Sequence, residues 1–200
     1  MKVTEKLKFQ LIRRSDFYLL PNILTLSRVV AIPLVATSVY YGWNILAAIF
    51  FSLAGLSDYI DGWVARKYNY ESKLGVLLDP LADKLIIVST MIVLLWMHRL
   101  EFHFFGIHAD ILPPILVIVT VGREIAITGL RAIASTAGIV LPADRGGKLK
   151  TWIQFFAILF LLVNWPIWNE IGLVLLTVSV ILALWSGIMY VIRFLRGLPS

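Results

Sequence analysis

Residues 170–194 read EIGLVLLTVSVILALWSGIMYVIRF, an apolar run with no charged side chain from Ile171 to Ile192. A run of roughly 18 or more apolar residues is long enough to cross the hydrocarbon core of a bilayer as one helix. Similar stretches fall at about 21–41, 43–66, 75–98, 111–135 and 148–165. The sequence therefore predicts an all-α integral membrane protein with six transmembrane helices, forming one domain over residues 19–200.

The composition supports the same class of protein. Of the 200 residues, 60% are hydrophobic and only 15% are charged, and the mean hydropathy is +0.87. The chain has no cysteine, which excludes disulfides, thiolate metal ligands and cysteine nucleophiles. A net charge of +6 suits anionic lipid headgroups or phosphorylated substrates. Because the basic residues lie among apolar spans, we expect no nucleic-acid partner.

The first 18 residues, MKVTEKLKFQLIRRSDFY, mix basic and apolar side chains. This pattern predicts an amphipathic juxtamembrane helix over 1–18 that lies on the membrane surface. Eight further cations collect at the same predicted side of the bilayer, while the opposite side retains only Arg99: Arg66, Lys67, Lys73, Arg145, Lys148, Lys150, Arg193 and Arg196. By the positive-inside rule, both termini are then cytoplasmic. The protein is expected to be a multi-pass component of the cell inner membrane with its active site facing the cytoplasm.

Four aspartates stand at the facing ends of the second and third predicted spans. Asp58 and Asp61 are three residues apart, and Asp79 and Asp83 are four apart, so each pair lies on one helical face. Across the short connection at 67–74 the two helices are antiparallel, and the pairs can meet at one depth. Four carboxylates so close would repel one another unless cations neutralised them. Hard oxygen ligands favour Mg²⁺ or Mn²⁺, and four acids suit two such ions. A structural alternative is pairing with basic neighbours, but Lys84 can neutralise only one acid.

The spacing of these acids resembles a known family. The pattern D-x-x-D-G-x-x-A-R over 58–66 and G-x-x-x-D-x-x-x-D over 75–83 is similar to the full signature of the CDP-alcohol phosphatidyltransferases. The resemblance implies that Asp58, Asp61 and Asp79 bind a first divalent cation. Asp83 would join the shell of a second and act as general base. The residues implied to contact the CDP-linked lipid are Asp58, Gly62, Ala65, Arg66 and Gly75. A homodimer in contact with membrane lipids is also implied. For Arg66, an ordinary cation at the membrane boundary is the alternative.

Three further segments, 21–28, 122–131 and 147–151, resemble the branch of this family that makes phosphatidylglycerophosphate in bacteria. The implied reaction joins CDP-diacylglycerol and sn-glycerol 3-phosphate to give phosphatidylglycerophosphate and CMP. An acceptor that carries its own phosphate needs a second cationic pocket. The candidates are Thr25, Arg28, Arg123, Arg131, Lys148 and Lys150. For Arg123 the alternative is a structural pair with the adjacent Glu124.

Two other functions are open at this stage. The acceptor could instead be inositol phosphate, serine or phosphatidylglycerol, although the basic residues at 123–150 argue against a neutral or zwitterionic alcohol. A cation transporter would distribute acids along a path through the bilayer, whereas here they cluster at one end of two helices. His98, His103 and His108 are spaced five apart and are interpreted as outer-loop residues, not as metal ligands.

Overall fold

A computed structural model describes residues 20–68, 73–101, 103–104, 107–108, 111–136 and 145–196 of the chain, with side chains at 26–57, 84–101, 111–131, 133–134 and 149–195. Its six helices are α1 Leu20–Tyr40, α2 Asn44–Tyr68, α3 Lys73–Trp96, α4 Leu112–Thr136, α5 Arg145–Val163 and α6 Pro166–Arg196. Between α3 and α4, β1 (His103–Phe104) and β2 (Ile107–His108) form an antiparallel hairpin in which His103 pairs with His108.

Within the described residues, the six helices predicted as spans are found in the predicted order, and most ends agree within a few residues. The small hairpin was not predicted, since the sequence indicated only a loop at 99–110. The last helix begins at Pro166, four residues before the predicted span, because proline fits the first turn of a helix. The predicted interfacial helix at 1–18 lies outside the described residues.

Two helical segments are long and apolar enough to cross a membrane, Leu112–Arg131 and Pro166–Leu195. Four shorter apolar segments lie in the other helices: Leu26–Tyr40, Asn44–Ser57, Lys84–Trp96 and Leu149–Val163. Each shorter segment lies within a helix that is longer than the segment itself. Length and composition therefore agree with a membrane protein, while the six-span topology stays a prediction.

The interior is built where consecutive helices pack against each other. Helices α5 and α6 form a tight pair across Asn164 and Trp165, and α1 packs on both α2 and α3. Small buried side chains, including Ala47, Ala54 and Ala157, let the helix backbones approach closely. Larger apolar side chains fill the remaining space around them. This packing holds α2 and α3 against the rest of the bundle.

The outer surface is strongly apolar, whereas several polar side chains are buried. Ile118, Ile181 and Trp185 are 61–69% exposed on the outer faces of their helices. Large continuous apolar surfaces of this kind are rare on soluble monomers. Arg28 and Lys150 are only 1% and 4% exposed. The polarity of this bundle thus suits a hydrocarbon solvent outside and polar contacts inside.

Three buried hydroxyl groups are satisfied within their own helices. Ser38 donates to the Leu34 carbonyl at 2.7 Å, Thr120 to Leu116 at 2.8 Å, and Ser179 to the Leu176 carbonyl at 2.7 Å. Such bonds to the preceding turn are the ordinary solution for serine and threonine in apolar helices. These hydroxyls therefore stabilise the fold and leave the charged side chains as the candidates for chemistry.

Helix α6 packs closely against α5 at Gly172. A Cβ atom added there would lie 2.8 Å from Leu161 Cγ and 3.0 Å from the Ala157 carbonyl oxygen. A backbone atom cannot move aside as a flexible side chain can. We expect Gly172→Ala to destabilise the bundle by about 1–3 kcal/mol through overpacking, although alanine favours the helical backbone. Tryptophan fluorescence during thermal unfolding in detergent measures this change.

Gly129→Ala is the matched control for that substitution. Gly129 also lies inside a helix, but a Cβ there would meet nothing within 4 Å. We expect this variant to keep or slightly raise the unfolding temperature. Equal unfolding temperatures for both variants would contradict close α5–α6 packing at Gly172.

Candidate functional site

The four aspartates and the small residues spaced between them, here called the acid motif, lie toward the end of α2 and the start of α3. Asp58 and Asp61 lie in the second half of α2, and Asp79 and Asp83 lie in the first half of α3. Gly62, Ala65 and Arg66 follow in the last turns of α2, and Gly75 lies in the first turn of α3. The side chains of all these residues are outside the described part. Helical spacing within each motif is therefore established, while their common site stays a prediction.

Lys84 directly follows Asp83 in α3, and its side chain is described. Its Nζ atom donates a hydrogen bond to Thr128 Oγ1 and lies 3.5 Å from Glu124 Oε2, both on α4. Thr128 Oγ1 in turn donates to the Glu124 backbone carbonyl at 2.7 Å. The end of the acid motif is thus tied to α4 by a charged side chain.

Glu124 accepts contacts from two further cations. Its Oε1 atom accepts a hydrogen bond from Arg123 Nη1 at 2.8 Å and another from Lys150 Nζ on α5. Together with Lys84, three cations from three helices share this one carboxylate. We call Lys84, Arg123, Glu124 and Lys150 the charged cluster.

Arg123 also binds α6. Its Nε atom donates to the Ala183 carbonyl at 3.3 Å, and Nη2 lies 3.5 Å from Ser186 Oγ. A planar guanidinium carries five N–H donors in a fixed arrangement, so it can make these contacts in several directions at once. Arg123 therefore fixes the charged cluster against a fourth helix.

The charged cluster is largely withdrawn from solvent, but unevenly. The side chains of Lys150, Arg123 and Glu124 are 5%, 13% and 17% exposed, whereas that of Lys84 is 32% exposed. Charges inside an apolar bundle are costly unless they are paired. Counted by formal charge over the described side chains, the three cations and one carboxylate of the cluster leave two positive charges in excess. The arrangement can therefore take up an anion, and Lys84 marks its more open side.

The other predicted acceptor residues are not part of the charged cluster as described. Arg28 is buried in α1. Arg131 is exposed, with its guanidinium carbon 5.9 Å from the centre of the Tyr190 ring, a cation–π arrangement. Arg131 stands eight residues after Arg123, about 12 Å further along α4. The side chains of Thr25 and Lys148 lie outside the described part.

The sequence points to Arg123 and Lys150 as candidate site residues, but not to the contacts that Lys84 and Glu124 make. Sequence alone suggests Lys84 only as a partner for one neighbouring aspartate, and Glu124 only as a partner for Arg123. A signal was present, because all four charges occur within apolar stretches or at their edges, where each needs a partner. Which charges meet across three helices depends on packing, and a single sequence does not specify that.

No group of three or more His, Asp or Glu side chains able to hold a metal ion occurs among those that the structure describes. The four aspartates of the motif are not among these side chains. The predicted metal ligands are therefore untested and stay a prediction.

The model of the CDP-alcohol phosphatidyltransferase family matches residues 18–185 of the chain. The CDP-diacylglycerol–glycerol-3-phosphate 3-phosphatidyltransferase of Bacillus subtilis strain 168 is 34% identical over 160 residues, covering 72% of this chain and 77% of that protein. Its counterpart in Rickettsia felis is 34% identical over 148 residues, covering 72% of this chain and 75% of that protein. A probable phosphatidylglycerophosphate synthase of Mycobacterium tuberculosis H37Rv is 32% identical over 197 residues, or 94% of this chain and 88% of that protein.

The family model covers most of the chain and includes both halves of the acid motif and the charged cluster. The chain therefore belongs to the CDP-alcohol phosphatidyltransferase family. It is accordingly an enzyme, a phosphatidyltransferase, as the sequence motif predicted.

Proposed function

We propose that this protein transfers the phosphatidyl group of CDP-diacylglycerol to sn-glycerol 3-phosphate, giving phosphatidylglycerophosphate and CMP. This proposal rests on the position of Lys84. It belongs to the charged cluster and directly follows Asp83 of the acid motif along α3. The proposed site for the diphosphate of a nucleotide-linked lipid would then adjoin a cluster with excess positive charge. The names of the relatives at 31–34% identity support the same reaction.

The protein is proposed to be a multi-pass component of the cell inner membrane. In this topology residues 19–200 form six spans, residues 1–18 lie as an amphipathic helix on the surface, and both termini and the active site face the cytoplasm. The apolar outer faces of the helices and the distribution of basic residues support it. The protein is also proposed to work as a homodimer, which the family resemblance implies.

The cysteine-free chain allows a direct test of this topology. We expect Trp43→Cys and Trp165→Cys, in the α1–α2 and α5–α6 turns, to react with a membrane-impermeant maleimide on intact spheroplasts. Asn69→Cys, between α2 and α3, should react only after the membrane is permeabilised. The unsubstituted chain is the unlabelled control. Labelling at position 69 from outside would contradict the proposed orientation.

The aspartates fit divalent cations by their donor chemistry. Asp58, Asp61 and Asp79 would hold one ion, and Asp83 would contribute to a second. Carboxylate oxygens suit Mg²⁺ or Mn²⁺, and the chain lacks the cysteines that softer metals prefer. Two such ions, when bound, would neutralise charge on the diphosphate and on the departing nucleotide.

Asp83 is proposed as the general base. Its carboxylate would take the proton of the acceptor's hydroxyl group as that oxygen forms a bond to the phosphorus of the phosphatidyl group. The bond from this phosphorus to the CMP oxygen breaks, and CMP leaves with the bonding electrons. Gly62 and Ala65 would leave space for the nucleotide beside α2, with Arg66 and Gly75 next to it.

We expect Asp83→Asn to lose nearly all CMP release, because asparagine cannot accept the proton. General-base catalysis is typically worth about a hundredfold or more in rate, which sets the minimum loss. CMP release from CDP-diacylglycerol measures this, and thermal unfolding checks that the fold is retained. Glu101→Gln, at an exposed carboxylate after α3, is the control and should turn over normally. Ordinary turnover by Asp83→Asn would remove this residue from the chemistry.

The acceptor is proposed to bind through cations. Arg123 and Lys150 are the residues of the predicted set that the structure brings together. Thr25, Arg28, Arg131 and Lys148 remain proposed contributors. Two excess positive charges match a phosphate monoester better than a neutral or zwitterionic alcohol such as serine.

Purified protein in vesicles containing CDP-diacylglycerol should convert radiolabelled glycerol 3-phosphate to a phosphorylated lipid. We expect serine, inositol phosphate and phosphatidylglycerol to give little product. Chelation of divalent cations should stop the reaction, and Mg²⁺ or Mn²⁺ should restore it. Product with another alcohol and none with glycerol 3-phosphate would change the assignment within the family. Metal flux without lipid product would instead favour a transporter.

A further inference from the structure

The charged cluster has an unusual stoichiometry for a structural ion pair. Arg123 and Lys150 both contact Oε1 of Glu124, while Lys84 approaches Oε2. Both oxygens of one carboxylate are thus used to hold three cations that come from three helices. An ordinary structural pair within an apolar bundle would match one cation to one acid.

The excess positive charge of the cluster can be balanced by an anion that binds reversibly. The cations stand close enough to the same carboxylate that they repel one another, and only part of that repulsion is compensated. A phosphate monoester dianion carries the two negative charges that would complete neutrality. Lys84 is the most exposed member at 32%, so the cluster is most open at this lysine.

Residues outside the charged cluster orient two of its members, Arg123 and Lys84. Arg123 is held at the Ala183 carbonyl of α6, and Lys84 is held by Thr128, which itself bonds the Glu124 backbone. Glu124 is the group that all three cations share. Without its carboxylate, Lys150 would lose its contact with the cluster, and of these contacts Lys84 would keep its bond to Thr128.

We propose that Glu124 is a positioning residue for the acceptor phosphate, and that Lys84 is an additional cation of the acceptor pocket. Glu124 is itself negatively charged and would not bind the phosphate directly. It would hold Lys84, Arg123 and Lys150 at fixed separations so that together they receive a dianionic phosphate. This inference rests on the proposed function, because it takes glycerol 3-phosphate as the acceptor.

Glu124→Gln tests the proposal, since it removes the charge and keeps the shape. The uncompensated cations should then separate, and the pocket should lose its geometry. We expect KM for glycerol 3-phosphate to rise by about tenfold or more while KM for CDP-diacylglycerol stays within about twofold. Glu124→Asp, which restores the charge on a shorter side chain, should recover part of the loss. KM values are measured by varying each substrate with the other saturating.

Three results would overturn the proposal. An unchanged KM for glycerol 3-phosphate in Glu124→Gln would show that the carboxylate does not set acceptor binding. A lower KM would show that Glu124 competes with the phosphate for the cations. Equal changes in both KM values, without recovery in Glu124→Asp, would indicate a purely structural role. Glu170→Gln, at an exposed carboxylate in the first turns of α6, is the matched control and should match the wild type.

Lys84→Met provides a second test if Glu124→Gln fails to fold. Its side chain is partly exposed, so its loss should be tolerated better than the loss of a buried charge. We expect it to raise KM for glycerol 3-phosphate and to leave KM for CDP-diacylglycerol nearly unchanged. In the same preparations, absence of wild-type turnover with glycerol 3-phosphate would refute the proposed function itself. Wild-type turnover with an unchanged KM in Lys84→Met would refute only the role of this lysine.

Discussion

The constraint on which this bundle depends is the cost of charge in an apolar interior. An isolated ammonium or guanidinium group inside an apolar helix bundle is unfavourable, and the structure meets this cost by sharing Glu124 among Lys84, Arg123 and Lys150. Because the three cations come from α3, α4 and α5, the carboxylate also sets how these helices stand beside one another. Arg123 extends the same constraint to α6 through the Ala183 carbonyl. In this part of the molecule, helix packing and charge pairing therefore depend on the same contacts.

Apolar packing provides the frame for these charges. Small side chains such as Ala47 and Ala157, and the glycine at position 172, permit short distances between helix backbones. Ser38 and Thr120 bond to carbonyls of their own helices, whereas Thr128 and Ser186 contact the charged cluster. The bundle thereby separates two tasks: close contact between helices is made by small residues, and the chemistry is left to a few ionisable ones. The acid motif on α2 and α3 and the charged cluster lie next to each other along α3.

Much of the fold could be predicted from the sequence because long apolar runs interrupted by polar turns have few structural solutions. The hairpin at 103–108 could not, because its two-residue strands are too short to produce an alternating pattern. For the site, fixed spacing along one helix identified the four aspartates, since such spacing is local. Lys84 and Glu124 are separated by 40 positions, and their contact depends on how α3 and α4 pack. Arg131 illustrates the same limit, since its charge alone did not reveal that it lies over the ring of Tyr190.

Helices α5 and α6 differ greatly in length, with 19 and 31 residues. At about 1.5 Å per residue they measure about 28 and 46 Å, against roughly 30 Å for the hydrocarbon thickness of a bilayer. In the proposed membrane setting α5 is slightly shorter than the hydrocarbon core, whereas α6 must tilt or extend into the headgroup region. Lys150 sits near the start of the shorter helix, so a thicker bilayer would pull that end inward. The reaction rate would then depend on the acyl-chain length of the surrounding phospholipids, the class of molecule that the enzyme's own reaction helps to produce.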